Sequence, residues 1–334
     1  MLNGIKRKLM ISFLTLLVLL IIYLIPTNKD IEILKENNEI KTQKVFLLNN
    51  NLLVETDVIS KNTIDIISQA KDIIDSLTIG GSKSNYLKKD MEAVIPVGTK
   101  VYDVSLSDGI LKINFSKEFY NVSERLEEKV VEALVYSLTN LNDVKGIMIF
   151  VEGSQMQELI HSKRRVPLVL TKDYGINKIY DITSLSNVTK STLYYYTNID
   201  NDYGVVPVTI FSNDDINKVE VIIETLKSSP IYQSNLMSFL SNNAKLLDYE
   251  LKENAVKLSF ENSLLDTFFD DSLIEEVKYA ISMSLKDTLG VSEVIFSVNG
   301  QNIWKFTKLG LALGSFLYYN SKCIEKKCPR SSAG

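Results

Sequence analysis

The amino-acid sequence predicts an α+β protein of two tandem two-layer domains, each a small mixed β-sheet packed on two helices, preceded by an N-terminal transmembrane helix. Three observations predict this fold. The string VKGIMIFVEG (144–153) returns later in the chain as VSEVIFSVNG (291–300). An amphipathic helix pattern precedes each of the two strings. A long apolar run follows a basic cluster near the start of the chain.

The apolar run extends from Leu9 to Ile25 and is interrupted only by Ser12 and Thr15. As a helix it would span about 26 Å, close to the roughly 30 Å hydrocarbon core of a bilayer. Three basic residues at 6–8 precede it, so we expect a cytoplasmic N-terminus and an extracytoplasmic body. No small-residue cleavage site follows the run, which favours an uncleaved single-pass anchor over a signal peptide.

The predicted domain organisation follows from these features. It consists of a cytoplasmic stub at 1–8, the transmembrane anchor at 9–25, a stalk at 26–44, a first domain at 45–153, a partly ordered linker at 154–190, a second domain at 191–305 and a tail at 306–334. The stalk is polar and charged, whereas the linker contains the apolar strings VPLVL and INKIYDI. We therefore expect the linker to pack against a domain.

Each domain is predicted to contain, in order, two strands, a helix, a hairpin, a second helix and a final strand. Alternating apolar and polar residues surround Asp108–Gly109 in the first copy and Glu253–Asn254 in the second, a pattern typical of a tight hairpin. The second helix presents one apolar face in both copies, which are 147 residues apart (144 to 291). The first helices are predicted within IDIISQAKDIIDSL and INKVEVIIETLKSS.

Composition and motifs exclude several classes of function. The net charge of −4 argues against a nucleic-acid-binding protein, which would need a basic face. The only cysteines are Cys323 and Cys328 in the tail, so the body has no disulfide framework, and a C-x4-C pair without further ligands predicts no metal site. The chain lacks phosphate-binding, dinucleotide-binding and nucleophile-elbow motifs, so no cofactor or small-molecule substrate is predicted.

Few residues qualify as catalytic candidates. His161 is the single histidine and lies between the domains. Glu127–Glu128 and Glu275–Glu276 recur near helix starts, where negative charge interacts favourably with the helix dipole. Glu152 of the first closing string becomes Asn299 in the second, so the copies share no acid there. The copies share apolar spacing, and no catalytic, cofactor-binding or metal-binding residue is predicted.

Two further features lie outside the repeated frame. Lys163, Arg164 and Arg165 form a small basic run in the linker, which is either a solvated surface or a contact for an acidic partner or an anionic wall polymer. Trp304 follows the second repeat, and we expect it to pack at the edge of that domain.

The first copy resembles the GerM domain of spore-formation and germination proteins. The resemblance rests on an ordered set, I-P-x-G-T-K-V, the D-G hairpin, N-F-S-K-E-F and the final V-x-G, within residues 94–153. The second copy keeps the apolar frame, but IPVGT becomes LSNNA (240–244), so it is similar to a diverged second GerM domain. The resemblance implies an extracytoplasmic, non-enzymatic module. Family members are often lipoproteins, whereas no acylatable cysteine follows the anchor here.

We therefore expect a non-enzymatic interaction and assembly module of the cell envelope, acting in sporulation, germination or envelope assembly. Its expected partners are envelope or sporulation-complex proteins, or a second copy of the chain. One alternative is an envelope hydrolase that cleaves cell-wall polymer with carboxylates. Another is a ligand-sensing ectodomain, which the short cytoplasmic stub disfavours.

Overall fold

This computed structural model describes residues 13–17, 42–60, 65–83, 87–88, 90–200, 202–213, 217–228, 235–264 and 275–307, with the backbone alone at 304–307. The chain divides into two compact units, residues 1–40 and 41–334. In the first unit, residues 13–17 are helical. Within the described ranges, no helix has both the length and the apolar character needed to cross a membrane. The predicted stub and most of the predicted anchor, stalk and tail lie outside the described residues.

The second unit contains four described α-helices and thirteen described strands. The helices are α1 (Ile66–Leu77), α2 (Glu127–Leu138), α3 (Lys218–Leu226) and α4 (Glu275–Leu289). The strands are β1 (Thr42–Asn49), β2 (Leu52–Ile59), β3 (Val101–Ser107), β4 (Ile110–Phe115), β5 (Gly146–Val151), β6 (Ser154–Gln155), β7 (Ile179–Asp181), β8 (Thr189–Ile199), β9 (Asp202–Ser212), β10 (Leu246–Lys252), β11 (Ala255–Phe260), β12 (Glu293–Val298) and β13 (Gln301–Thr307). The predicted order of elements is therefore observed in both copies, and the α+β class is confirmed.

The strands do not form one small mixed sheet per domain, which corrects the sequence prediction. A central sheet contains β1, β2, β9 and β8, and β7 pairs with the side of β9 that also meets β2. Strands β3–β6 and β10–β13 form two separate four-stranded sheets. The physical reason lies in the strands themselves: β1 and β8 carry continuous buried runs and need cover on both faces, whereas β3 and β10 are largely exposed.

The two copies meet at equivalent positions of the central sheet. The hairpin of β1 and β2 closes with the pair Asn49 and Leu52, and the hairpin of β8 and β9 closes with Ile199 and Asp202. Strand β2 pairs with β9 through Glu55 and Val205, which are 150 residues apart (55 to 205), the spacing that also separates the two closing pairs. The repeats thus join as an isologous dimer does, although within one chain.

A helix covers each outer edge of the central sheet. At the β1 edge, the main-chain N–H of Phe46 donates to Ser137 Oγ of α2 at 2.9 Å. At the β8 edge, the N–H of Tyr194 donates to Ser284 Oγ of α4 at 3.0 Å. Both serines are fully buried and 147 residues apart (137 to 284). Covering an edge in this way removes unpaired strand donors that would otherwise recruit another strand.

The closing Val-x-Gly strings form tight turns. Glu152 and Gly153 have φ of 51° and 78°, and Asn299 and Gly300 have φ of 49° and 80°. Two successive positive φ values are typical of a type I′ turn, which joins antiparallel strands. The strings therefore lead into β6 and β13, two strands that the sequence pattern did not predict.

The IPVGT string of the first copy also forms a turn. Ile95 and Pro96 are buried, and the N–H of Thr99 donates to the Pro96 carbonyl at 3.2 Å. Gly98 has φ of 82°, as the third residue of a type II turn requires. In the second copy, the corresponding turn at 241–244 closes with a similar bond but without a positive φ, so it does not require glycine.

Candidate functional site

A buried carboxylate joins the two repeats on one side of the central sheet. Glu55 of β2 has a side chain that is only 6% exposed. Both of its oxygens accept from the Tyr279 hydroxyl of α4, at 2.8 and 3.0 Å, and one also meets the Lys44 ammonium. Burial, together with the carboxylate of Glu55, raises the pKa of Tyr279 well above its usual value. The phenol therefore stays protonated and donates across the contact between the two repeats, which we call the joint.

A second polar contact joins the repeats through the segment between them. The Lys172 ammonium lies 3.0 Å from Asp287 Oδ1 of α4, and the buried Tyr194 hydroxyl donates to the same carboxylate. In the other direction, the Tyr136 hydroxyl of α2 donates to the Lys172 carbonyl at 3.2 Å. Lys172 therefore links the second helix of one repeat to the second helix of the other.

Both the oxygen and the nitrogen of the Asn177 carboxamide form hydrogen bonds at the joint. Its Oδ1 accepts from the N–H of Leu53 at 2.9 Å and from the Lys129 ammonium at 2.9 Å. Its Nδ2 donates to the carbonyls of Leu53 at 2.8 Å and Pro207 at 2.9 Å. Its main-chain N–H donates to Glu132 at 3.0 Å. One buried side chain thus binds β2 of the first repeat and β9 of the second.

Pro207 explains why a side chain is needed at that point. The N–H of Thr209 donates to the Ile176 carbonyl at 2.9 Å, so alternate residues of β9 turn their main-chain groups towards β2 and β7. Proline has no N–H, so β2 cannot continue its ladder there. Asn177 supplies both a donor and an acceptor to Leu53 instead.

Glu128 and Glu132 of α2 are held by cations. Glu128 accepts from the Lys178 ammonium at 2.8 Å and from Arg164 at 2.7 Å. Burial raises the pKa of Glu128, but these two cations outweigh that effect and hold it below its usual value. Glu132 lies 3.1 Å from Lys129 and 3.7 Å from Lys178, and burial raises the pKa of its carboxyl. These carboxylates are part of an ion-pair network, and no substrate is needed to explain them.

Glu127 and His161, which the sequence gives no reason to connect, are in contact. The buried Glu127 carboxylate accepts the main-chain N–H of His161 at 2.8 Å and of Ser162 at 3.0 Å. The Nε2 of His161 lies 2.7 Å from the Val122 carbonyl, which can only accept, so this nitrogen carries the proton. The histidine therefore has no free base at Nε2, and Glu127 holds a loop.

The second acidic pair has other surroundings. Glu275 is 67% exposed and pairs with Lys278 at 2.6 Å on the same helix. Glu276 contributes its main-chain carbonyl, which accepts from the Tyr196 hydroxyl at 2.7 Å. Each acidic pair thus opens the second helix of its repeat, but the two pairs do not share a set of contacts.

The closing corners likewise differ. Glu152 accepts from the N–H of Lys117 at 2.8 Å and from the Tyr102 hydroxyl at 3.2 Å. Asn299 donates instead to Asn262 Oδ1 at 3.2 Å. No common acid occupies this position, as the sequence comparison predicts.

The described residues provide no metal site, and neither the two cysteines nor Trp304 has a described side chain. Within the described residues, no group of three or more His, Cys, Asp or Glu side chains could hold a metal ion. Cys323 and Cys328 lie outside the described residues, and Trp304 is placed only as a backbone position of β13 that pairs with Phe296. A small apolar cleft beside α2 has room for about one water molecule; it is lined by Phe119, Tyr120, Val122, Glu127, Val130, Val131, Met156, Leu159 and Ile160.

The fold and the joint define a class of protein: a tandem α+β repeat protein whose buried charged and amide groups hold two related halves together. The chain belongs to the Germane family, described as "Sporulation and spore germination", whose model matches residues 44–157 and 192–303. The resemblance found in the sequence is therefore confirmed for both copies.

Individual relatives agree with this assignment. The chain is 26% identical over 240 residues to the spore germination protein GerM of Bacillus subtilis (strain 168), a match that covers 70% of this chain and 66% of that protein. A solved structure of the tandem GerMN domains of the sporulation protein GerM from Bacillus subtilis superimposes with a TM-score of 0.71 at 24% identity. That match covers 78% of this chain and 92% of the solved one, and it shows a common fold.

Proposed function

We propose that this protein is a membrane-anchored, extracytoplasmic interaction and assembly module of the cell envelope that acts in sporulation or germination without catalysing a reaction. Membership of a sporulation and germination family supports the biological setting. The apolar run at 9–25 behind a basic cluster supports the anchor. Envelope or sporulation-complex proteins, or a second copy of the chain, are the proposed partners.

One observation carries the non-enzymatic part of the proposal. The two copies share groups that hold the structure together, namely the edge-covering Ser137 and Ser284 and the paired strands at Glu55 and Val205. The acidic residues near α2 are held by cations or by main-chain N–H groups. A two-repeat body whose described acidic residues near α2 hold the structure together is suited to presenting surfaces to partners.

The interaction is tested by photocrosslinking in cells that produce the full chain. A photoreactive amino acid replaces one of four exposed residues: Val97 (67% exposed), Tyr102 (56%), Tyr180 (58%) or Leu247 (52%). We expect a discrete crosslinked product with an envelope protein or a second copy from at least one position. The buried Phe296 is the control position and should give none. Absence of any product from all four positions would contradict the proposal.

The anchor and the absence of catalysis need separate measurements. Alkaline extraction should leave the full chain in the membrane fraction, whereas a variant without residues 9–25 should be released. On gels containing purified cell wall, the protein should clear no zone. A cleared zone that one Asp or Glu substitution abolishes would instead identify an envelope hydrolase.

A further inference from the structure

The basic run lies on a tight loop that folds back on itself. The N–H of Leu159 donates to the Arg164 carbonyl at 2.9 Å, and the N–H of Val166 donates to the Gln157 carbonyl at 2.8 Å. Lys163 has φ of 55°, which turns the chain between the two arms. Leu159 and Val166 are buried, so the base of the loop is fixed on the first repeat.

A buried carboxylate holds the tip of this loop. Glu127 is 3% exposed, and its two oxygens accept the N–H groups of His161 and Ser162. The His161 ring binds the Val122 carbonyl on the other side of the tip. Burying a carboxylate is costly unless it is hydrogen-bonded, so the cost is offset only while the loop keeps this shape. The loop is therefore preorganised.

The loop presents positive charge in a protein whose net charge is −4. The side chains of Lys163 and Arg164 are 61% and 52% exposed, although each also touches a glutamate. Arg165 is exposed and forms no ion pair with the residues that the structure describes. Residues 157–166 contain three cations and one glutamate, Glu158, and the carboxylates of Glu127 and Glu128 contact the loop from α2.

An aromatic pair with one exposed ring lies near Arg164. Tyr180 is 58% exposed and stacks on Phe211 with ring centroids 5.1 Å apart. Lys178, two residues before Tyr180, donates to Glu128 at 2.8 Å, and Arg164 donates to the same carboxylate at 2.7 Å, which brings Tyr180 near Arg164. Burial and the Glu128 carboxylate raise the pKa of Tyr180, and the Arg164 guanidinium opposes that shift. Tyrosine and arginine are enriched among the residues that contribute most to binding at protein interfaces.

We propose that the loop at 157–166, with Tyr180 beside it, is the docking site for a short acidic segment of a partner protein, an inference that rests on the proposed function. The arginines would bind carboxylates, which they can contact through two N–H groups at once. Tyr180 would contact an apolar residue of the same segment. A long polyanion fits less well, because beyond the loop it would meet a body with net negative charge.

The test uses the full chain in a nonionic detergent and a dye-labelled ten-residue peptide of alternating glutamate and leucine. Fluorescence anisotropy gives its dissociation constant, and a glutamine–leucine peptide of equal length is the uncharged reference. We expect the acidic peptide to bind about tenfold more tightly than the reference. The variant K163A/R164A/R165A should lose this preference. The matched variant K71A/K112A/K145A, which removes three exposed lysines elsewhere, should keep it.

Preorganisation has its own test. Glu127→Gln keeps the three cations but weakens the clamp, so it should reduce acidic-peptide binding several-fold. Equal binding by wild type and either K163A/R164A/R165A or Glu127→Gln would overturn the inference, as would equal losses in the two triple variants. Tighter binding of a glycerol-phosphate polymer than of the acidic peptide would overturn the choice of partner. If the wild type and the loop variant crosslink an envelope protein equally in cells, the docking site fails but the proposed function stands.

Discussion

Ser137 and Ser284 make the same contact at opposite edges of the central sheet. Each serine lies on the helix that covers an edge strand, and its Oγ accepts a main-chain N–H of that strand. We predict that Ser137→Ala and Ser284→Ala each lower the free energy of unfolding by about 1–3 kcal/mol, because a buried N–H loses its acceptor. Urea denaturation measures this change. Ser105→Ala on the exposed strand β3 is the control and should change stability by less than about 0.5 kcal/mol. Unchanged stability in both buried variants would show that the helices do not serve as edge covers.

Asn177→Ala should loosen the joint between the repeats. The substitution leaves the main-chain groups of Leu53 and the Pro207 carbonyl without their partner, at a cost of about 1–3 kcal/mol for each group that water cannot reach. Hydrogen exchange should then increase in β2 and β9 before it increases elsewhere. Asn142→Ala, in an exposed loop, should leave the exchange pattern as it is. A uniform increase in exchange would argue against a specific role at the joint.

Glu55 and Tyr279 should be energetically coupled across the joint. Because the Tyr279 hydroxyl donates to both carboxylate oxygens, Glu55→Gln and Tyr279→Phe remove the same interaction from opposite sides. A double-mutant cycle should give a coupling energy of about 0.5–3 kcal/mol. The measurement is urea denaturation of the wild type, the two single variants and the double variant. Additive effects would mean that the contact contributes nothing to the association of the repeats.

Glu127 should make stability depend on acid pH. Burial raises the pKa of its carboxyl, but the Ser162 hydroxyl and the N–H groups of His161 and Ser162 outweigh burial and hold the pKa below its usual value. A carboxyl with a lowered folded-state pKa stabilises the protein above its unfolded pKa and loses that contribution as the pH falls through the folded pKa. The stability difference between wild type and Glu127→Gln should therefore be full at neutral pH and shrink below about pH 4. Denaturation curves across this range would contradict the clamp if the difference stayed constant.

The sequence predicted the local elements well, because their signals are local. Asp108–Gly109 with flanking alternation predicts the hairpin of β3 and β4, and both residues have the positive φ that a tight turn needs, 54° and 79°. Asn299–Gly300 carries an equally strong hairpin signal. The pattern of VSEVIFSVNG alone predicts only the end of a strand, whereas the Asn-Gly pair also indicates the turn into β13.

Other features had weaker signals. Pro207 within the apolar run of β9 indicates a point where one side of the strand cannot pair. Nothing near Asn177 in the sequence shows that its side chain fills that position, because the two residues are 30 positions apart and belong to different elements. The serines at 137 and 284 recur at the repeat spacing, but a comparison restricted to apolar positions passes over them.

By itself, the sequence determined the α+β class, the duplication, the order of the elements in each copy and the family, because periodicity, turn residues and ordered motifs act over short stretches of chain. Only the tertiary structure decided that the β1–β2 and β8–β9 hairpins share one sheet, that helices cover its edges, and that Glu127 holds the basic loop. These arrangements depend on how buried N–H, carbonyl and carboxylate groups find partners far away in the chain. Every such group needs a partner when it leaves water, but the sequence does not specify which residue will supply it.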